Sequence, residues 1–146
     1  MIEKISFDEV YSIWNQYLWK NRTSKIEPIS AMLLNRTYDL QNFNYTPTFF
    51  GYVTDNQLVG VNSGHMCCDN TYRSRGLYVL EEYRKQGIGL KLLKATIEQG
   101  INENASCIWS YPKQNSWSTY KLAGFELYSY WEVSELDINA YCILKL

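Results

Sequence analysis

The sequence predicts an α/β protein made of one domain over residues 1–146, and three observations carry that prediction. Short β-prone runs alternate with segments whose apolar residues recur at helical spacing. One run, Leu77-Tyr78-Val79-Leu80, stops at Glu81-Glu82 and passes through Arg84-x-x-Gly87-x-Gly89 into a helical pattern. The 146 residues can bury one core, and 46% hydrophobic with 20% charged residues is an ordinary globular balance.

Met1 to Ser6 alternates apolar and polar side chains, as an edge strand does. Ser6 is followed three residues on by Glu9, a capping box that starts a helix. In that helix Val10, Ile13, Trp14, Tyr17 and Leu18 share one face. Asn21 to Glu27 is polar and ends at Pro28, and a second short helix is expected over Ile29 to Leu34. The Asn-rich stretch from Asp39 to Thr46 reads as a loop.

Thr48 to Thr54 and Gln57 to Ser63 flank Asp55-Asn56, a two-residue link suited to a tight antiparallel hairpin. A third strand is expected over about Arg73 to Leu80. The helix after the glycines places Ile88, Leu92, Leu93, Thr96, Ile97 and Ile101 on one face. Cys107 to Tyr111 reads as a strand stopped by Pro112, because proline cannot continue a central ladder. A short helix over Trp117 to Leu122 has Gly124 just past its end. Phe125 to Trp131 and Ala140 to Leu146 read as a final pair of strands.

Composition excludes several function classes. A formal net charge of −1 argues against nonspecific nucleic-acid binding, which relies on clustered Lys and Arg. No apolar run approaches the roughly 18 residues that a membrane span needs, and Met1 to Ser6 does not resemble a signal peptide. A cytoplasmic location is expected. Cys67, Cys68, Cys107 and Cys142 match neither a zinc-site spacing nor a secreted disulfide framework. They read as reduced thiols, and no metal site is expected.

The glycine segment carries the chemistry. Glycines at a helix start let backbone approach a bulky ligand with no Cβ in the way. The free N–H groups of the first helical turn, at the positive end of the macrodipole, suit a phosphate. A Gly-x-Gly taken alone fits a ligand-free turn as well. The P-loop pattern is absent, and Leu92 stands where a dinucleotide fingerprint needs its third glycine.

The element order β-α-α-β-β-β-α-β-α-β-β resembles that of the GNAT family of acyl-CoA N-acyltransferases. Arg84-Lys85-Gln86-Gly87-Ile88-Gly89 resembles the family's acyl-CoA motif, and Tyr120-x-x-x-Gly124-Phe125 its Tyr-x-x-x-Gly-Phe ending. The resemblance implies a mixed central sheet of about six or seven strands with about four helices, splayed at the acyl-CoA site. It implies acetyl-CoA as cosubstrate and direct attack by a primary amine. Leu77, Tyr78 and Val79 would pair with the pantetheine arm through their backbone. The amides of Arg84, Lys85, Gln86, Gly87, Ile88 and Gly89 would hold the pyrophosphate. The Arg84 and Lys85 side chains either add charge attraction or are solvated.

Tyr120 falls where the family has the general acid that protonates the leaving thiolate, and Val79 N–H is the expected donor to the thioester carbonyl. Many members have an Asn seven residues before that Tyr, but here the position is Lys113. Asn115 is therefore either a cofactor contact or the helix N-cap. No carboxylate base is evident: Tyr72-Arg73-Ser74-Arg75 occupies the strand where some relatives carry Glu. His65 has a suitable ordinary pKa but fits a structural role as well. Homodimers through the last strands are common in the family, so a homodimer is an expectation. The alternative function is an acyl-CoA-binding module of the same fold without transfer.

Overall fold

The computed structural model describes every residue from Met1 to Leu146. The chain opens with strand β1 (Ile2–Ile5) and helix α1 (Phe7–Ile13). The capping box forms as expected: Glu9 N–H donates to Ser6 Oγ, and Ser6 N–H donates to Glu9 Oε1, both at 3.2 Å. Past Ile13 the helix does not stop but widens into a π-helical turn, Trp14–Leu18, closed by Trp19 N–H on the Trp14 carbonyl at 2.7 Å. The turn is anchored from within. Trp14 is fully buried, its indole N–H donates to the Gly76 carbonyl at 2.8 Å, and its ring centroid lies 4.8 Å from that of Trp19.

The expected helix over Ile29 to Leu34 does not form. That segment is turned and extended, with Met32 bridging Tyr38 and Asp39 N–H donating to the Ala31 carbonyl at 2.8 Å. A helix this short gains little on its own, and here its carbonyls have better partners. The buried Asn42 side chain donates to the Ser30 and Met32 carbonyls at 2.9 and 3.3 Å. The protein thus has three α-helices rather than about four. Within the expected loop, Leu40–Asn44 forms a 3-10 turn.

Strands β2 (Thr48–Thr54) and β3 (Gln57–Met66) form the expected hairpin. Asp55 and Asn56 both take positive φ, 52° and 59°, which matches the twist of the flanking strands. Strand β4 (Tyr72–Val79) is followed by a 3-10 turn (Glu81–Tyr83) and helix α2 (Ile88–Asn102). Strand β5 (Cys107–Ser110), helix α3 (Trp117–Leu122) and a two-residue strand β6 (Glu126–Leu127) come next. The strand expected from Phe125 to Trp131 is shorter because the chain leaves the sheet. It makes a separate small hairpin of β7 (Glu132–Val133) and β8 (Ile138–Asn139), which the sequence did not suggest. Strand β9 (Cys142–Lys145) returns to the sheet.

The main sheet runs β1-β2-β3-β4-β5-β9-β6, and β4–β5 is its one parallel pair. Helix α2 buries Ile88, Leu92, Leu93 and Thr96, four of its six expected core positions, whereas Ile101 is 51% exposed. Val10, Trp14, Val59, Val61 and Leu92 pack in one cluster. Tyr72, Leu93, Ile108, Tyr120 and Phe125 pack in another.

One feature of this sheet positions the site. Strands β4 and β5 pair only at Tyr72 with Ile108 and at Arg73 with Trp109. Beyond Arg73, β4 runs on to Val79 without a partner on that edge. Its side chains change in step: Tyr72 to Arg75 are buried, and Gly76 to Val79 are half-buried. The kink sits at Gly76, where φ is +80° and the register with β3 slips between Val61 and Ser63. An added Cβ there would also overlap the Trp14 indole. Glycine is required at this position twice over, by conformation and by contact.

Candidate active site

The gap between β4 and β5 opens into a groove of about 640 Å³. One wall is the free edge of β4. Leu80 N–H donates to the Val59 carbonyl on β3 at 2.8 Å, so by the alternation of a strand Leu77 and Val79 turn their N–H and C=O away from β3. Val79's carbonyl is already taken, accepting from Arg84 Nε at 2.8 Å. The floor is the turn into α2, and the far wall is the start of α3 with the segment before it.

The turn has an unusual backbone. Lys85 and Gly87 both take positive φ, 63° and 79°. No N–H from Lys85 to Leu90 donates to any acceptor in the protein; Lys91 N–H, on the Gly87 carbonyl at 3.1 Å, is the first engaged amide of α2. Left-handed residues between right-handed ones curve successive N–H groups toward one point. Together with the helix dipole this makes an anion cradle. A Cβ at Gly87 would meet no atom within 4 Å, so this residue faces the open groove. Gly89 differs: its Cβ would make ordinary contact with Thr119 Cγ2 at 3.6 Å, so this position lies where α2 meets α3.

The structure brings most of the expected residues together. Leu77, Tyr78, Val79, Arg84, Lys85, Gly87, Ile88, Gly89 and Asn115 all line the groove. Gln86 does not, since its side chain points to solvent, although its amide belongs to the free series. The Arg84 guanidinium folds back over the Tyr78 ring at 5.1 Å, and Tyr17 stacks on Tyr78 with centroids 5.6 Å apart. Asn115 is exposed on the rim, inside a 3-10 turn (Gln114–Ser116); Ser116, not Asn115, occupies the N-cap position of α3. Glu81 and Glu82 are exposed.

Tyr120 stands at the inner end, lining a smaller hollow of about 50 Å³ that shares Leu18, Leu77, Lys113 and Ser116 with the groove. Its hydroxyl lies 2.9 Å from Ser74 Oγ and 3.1 Å from Ser110 Oγ. Donor counting orients this set. Ser110 Oγ has one proton, shared between the Ser74 carbonyl at 2.7 Å and Tyr120 Oη at 3.1 Å, so it faces the phenol as a donor. Asn62 Nδ2 donates to Ser74 Oγ at 2.9 Å, leaving the Ser74 proton for Tyr120. Burial pushes the Tyr120 phenol up to about 12, so it holds its proton at neutral pH.

His65 takes no part in this site. It is fully buried, burial pulls its pKa down to about 3, and its Nδ1 faces the Met66 carbonyl at 3.1 Å. Cys67 is buried as well, and burial raises its thiol to about 11, which rules it out as a thiolate nucleophile at neutral pH. No group of three or more His, Cys, Asp or Glu side chains is arranged to hold a metal ion.

Sequence reasoning missed four contributors: Ser74, Ser110, Gly76 and Lys113. Lys113 Nζ donates to the Leu18 carbonyl at 3.0 Å and so ties the segment before α3 to the π-helical turn. Gly76 had a legible signal, since a lone glycine inside a strand marks a bulge or a close approach. The serines had none. Their role depends on which hydroxyls the splayed strands bring to Tyr120.

A split mixed sheet with a free β4 edge and a glycine turn of unpaired amides defines an acyl-CoA-dependent acyltransferase architecture. The family model for the acetyltransferase (GNAT) family matches residues 8–125, and the chain belongs to that family. Among solved structures it is similar to an acetyltransferase of the GNAT family from Staphylococcus aureus Mu50, with TM-score 0.70 and 18% identity over 99% of this chain and 98% of the other. A ribosomal-protein-alanine N-acetyltransferase from Brucella melitensis superposes with TM-score 0.69 at 15% identity, covering 100% and 99% of the two chains. A protein described as a streptothricin acetyltransferase from Bacillus anthracis, in complex with acetyl coenzyme A, gives TM-score 0.65 at 15% identity, covering 100% and 99%. At these identities the likeness is one of fold. No curated protein matches the sequence.

Proposed function

We propose that this protein transfers an acetyl group from acetyl-CoA to a primary amine, with Tyr120 as general acid. The observation that carries the proposal is continuity. One groove joins the free amides of Lys85 to Leu90, the unpaired edge of β4 and the inner hollow where Tyr120 stands.

These residues fit the cosubstrate. The cradle before α2 suits a pyrophosphate, with Gly87 leaving room for its approach. The free N–H and C=O groups of Leu77 and the N–H of Val79 suit the amides of a pantetheine arm. Acetyl-CoA, when bound, supplies an activated acyl group as a thioester. Leu77 lines both the groove and the inner hollow, whereas Val79 lines the groove alone. This favours Leu77 N–H over Val79 N–H as the donor that polarises the acyl carbonyl.

Tyr120 keeps a proton at Oη for the departing sulfur, and Ser74 Oγ, 2.9 Å away, holds the phenol in place while water restores the proton afterwards. Holding two reactants in one hollow supplies a further large part of the acceleration. No carboxylate lines that hollow, which supports water as the proton acceptor for the amine. Asn115 at the rim is positioned for an outer part of the ligand.

The single main sheet supports one domain over the whole chain. No helix is long and apolar enough to cross a membrane, and the four free thiols support a cytoplasmic location. Tyr130 and Val133, 93% and 88% exposed near the last strands, support a homodimer through that end, which light scattering would test.

The decisive experiment is thermal unfolding across an acetyl-CoA series, followed by CoA release with an amine panel. Saturating stabilisation of about 2.7 kcal/mol at 100-fold over Kd is expected, and so is amine-dependent CoA release. Stabilisation without release from any amine would favour the binding module instead.

A further inference from the structure

The inner hollow is lined by two guanidinium groups, Arg73 and Arg75, with no carboxylate at ion-pair distance; Glu27 acts on Arg75 only as the last and weakest of several influences. Arg73 and Arg75 alternate with Ser74 along β4, so their side chains lie on the face opposite the Ser74–Tyr120 bond. Both are buried, at 8% and 4% exposure. The two ion pairs of the protein, Lys25 with Glu27 and Arg36 with Glu132, involve neither. Aromatic rings hold them instead: Arg73 lies 5.0 Å above Trp109, and Arg75 lies 5.1 and 5.0 Å from Trp14 and Trp19.

Their donors are largely unspent. Arg75 gives one bond, to the Glu27 backbone carbonyl at 2.8 Å. Arg73 gives one weak bond to Met32 Sδ at 3.5 Å, and its Nε is buried with no partner at all. The hollow has no carboxylate in its lining, and Lys113 adds a third cation. A buried charge without a counter-ion is destabilising, because desolvation is not offset by attraction. Burial accordingly pulls Arg75 well below its ordinary value and lowers Arg73 too. A ligand carboxylate would relieve this, since guanidinium forks match carboxylate geometry.

We infer that the acceptor is an amine that also carries a carboxylate, bound in the inner hollow with its carboxylate on Arg73 and Arg75. This rests on the acetyltransferase reading above and adds the chemical class of its second substrate. The small volume of the hollow, about 50 Å³, favours the end of a compact molecule such as a free amino acid. It also accounts for the absence of an acidic side chain where a cationic acceptor would need one. In the transfer, the amine nitrogen bonds to the acyl carbon and the bond from that carbon to sulfur breaks. The sulfur leaves with the Tyr120 proton, the amine's surplus proton goes to water, and water returns one proton to the Tyr120 phenolate, which closes the cycle.

The test uses matched ligands on the intact protein saturated with CoA. Common free amino acids are each compared with their own α-carboxamides, with binding read by calorimetry. With acetyl-CoA, the same pairs are compared by CoA release. At least one acid is expected to bind about 30-fold more tightly than its carboxamide. That ratio should collapse toward one in Arg73→Gln and partly recover in Arg73→Lys. Arg75→Gln is the second variant should Arg73→Gln fail to fold, and the wild-type ratio needs no variant at all. Equal or weaker binding of every acid would overturn the inference, while acetyl-CoA stabilisation and CoA release with neutral amines would leave the acetyltransferase reading intact. Failure of acetyl-CoA to bind would remove both.

Discussion

Tyr120 Oη and Ser74 Oγ lie 2.9 Å apart, at the line where β4 and β5 part. The contact joins a helix that follows β5 to a strand that precedes α2. It therefore forms only when the sheet has split and both elements are in place. Ser110 closes the set from the other strand, 3.1 Å from the same hydroxyl. The phenol is held on two sides, and its protonated form is favoured by burial.

Replacing Tyr120 by Phe removes the proton but keeps the ring, whose centroid packs 5.0 Å from that of Phe125. CoA release should fall by about 10²–10⁴-fold, the range for loss of a positioned acid. Acetyl-CoA affinity should stay within a factor of about three, because binding groups are elsewhere. Stability should drop by about 1 kcal/mol from hydroxyls left unpaired. Steady-state kinetics with calorimetric titration separates these effects.

Gly87→Ala tests the cradle. The open space around the position means no clash, but φ of 79° costs an L-residue about 1 kcal/mol or more. A purely cofactor-directed effect is therefore not expected. Urea denaturation should show that modest loss, and acetyl-CoA affinity should fall by about tenfold or more as the methyl group occupies ligand space.

Gly76→Ala should be the most damaging glycine substitution near the site. It combines a positive φ of 80° with overlap on the buried Trp14 indole, which cannot move without breaking its bond to the Gly76 carbonyl. A loss of about 3 kcal/mol or more is expected in equilibrium unfolding.

His65 sets an acid limit. Its folded pKa is pulled from 6.5 to about 3, chiefly by burial. Between those values the unfolded chain binds more protons than the native state, so stability falls as pH falls through this window. Melting temperatures of wild type and His65→Asn, measured across the window, should converge toward low pH. Carboxylates such as Glu132, held low by Arg36, add a slope common to both proteins.

Much of this was readable from the chain alone, where the physics is local. The capping box at Ser6, the Asp55-Asn56 turn, the Arg84 to Gly89 turn and the α3 boundaries all appear where the sequence predicts them. Each depends on residues within a few positions of one another. The same locality located the groove residues, since a strand, a glycine turn and a helix in succession point their free amides one way.

What the sequence misjudged shares a different cause. Ile29 to Leu34 is expected to be helical, but Asn42 captures its carbonyls from outside the segment. The kink of β4 next to its split from β5 sets Gly76 against Trp14, 62 residues away in the chain. The serines around Tyr120 and the arginines of the inner hollow acquire meaning only through such distant pairings. Local propensity and motif spacing determined the elements, the glycine turn and the family resemblance. Tertiary structure alone decided the proton-holding contacts of Tyr120 and the unpaired charge in its hollow, because hydrogen bonds and burial depend on which distant atoms meet.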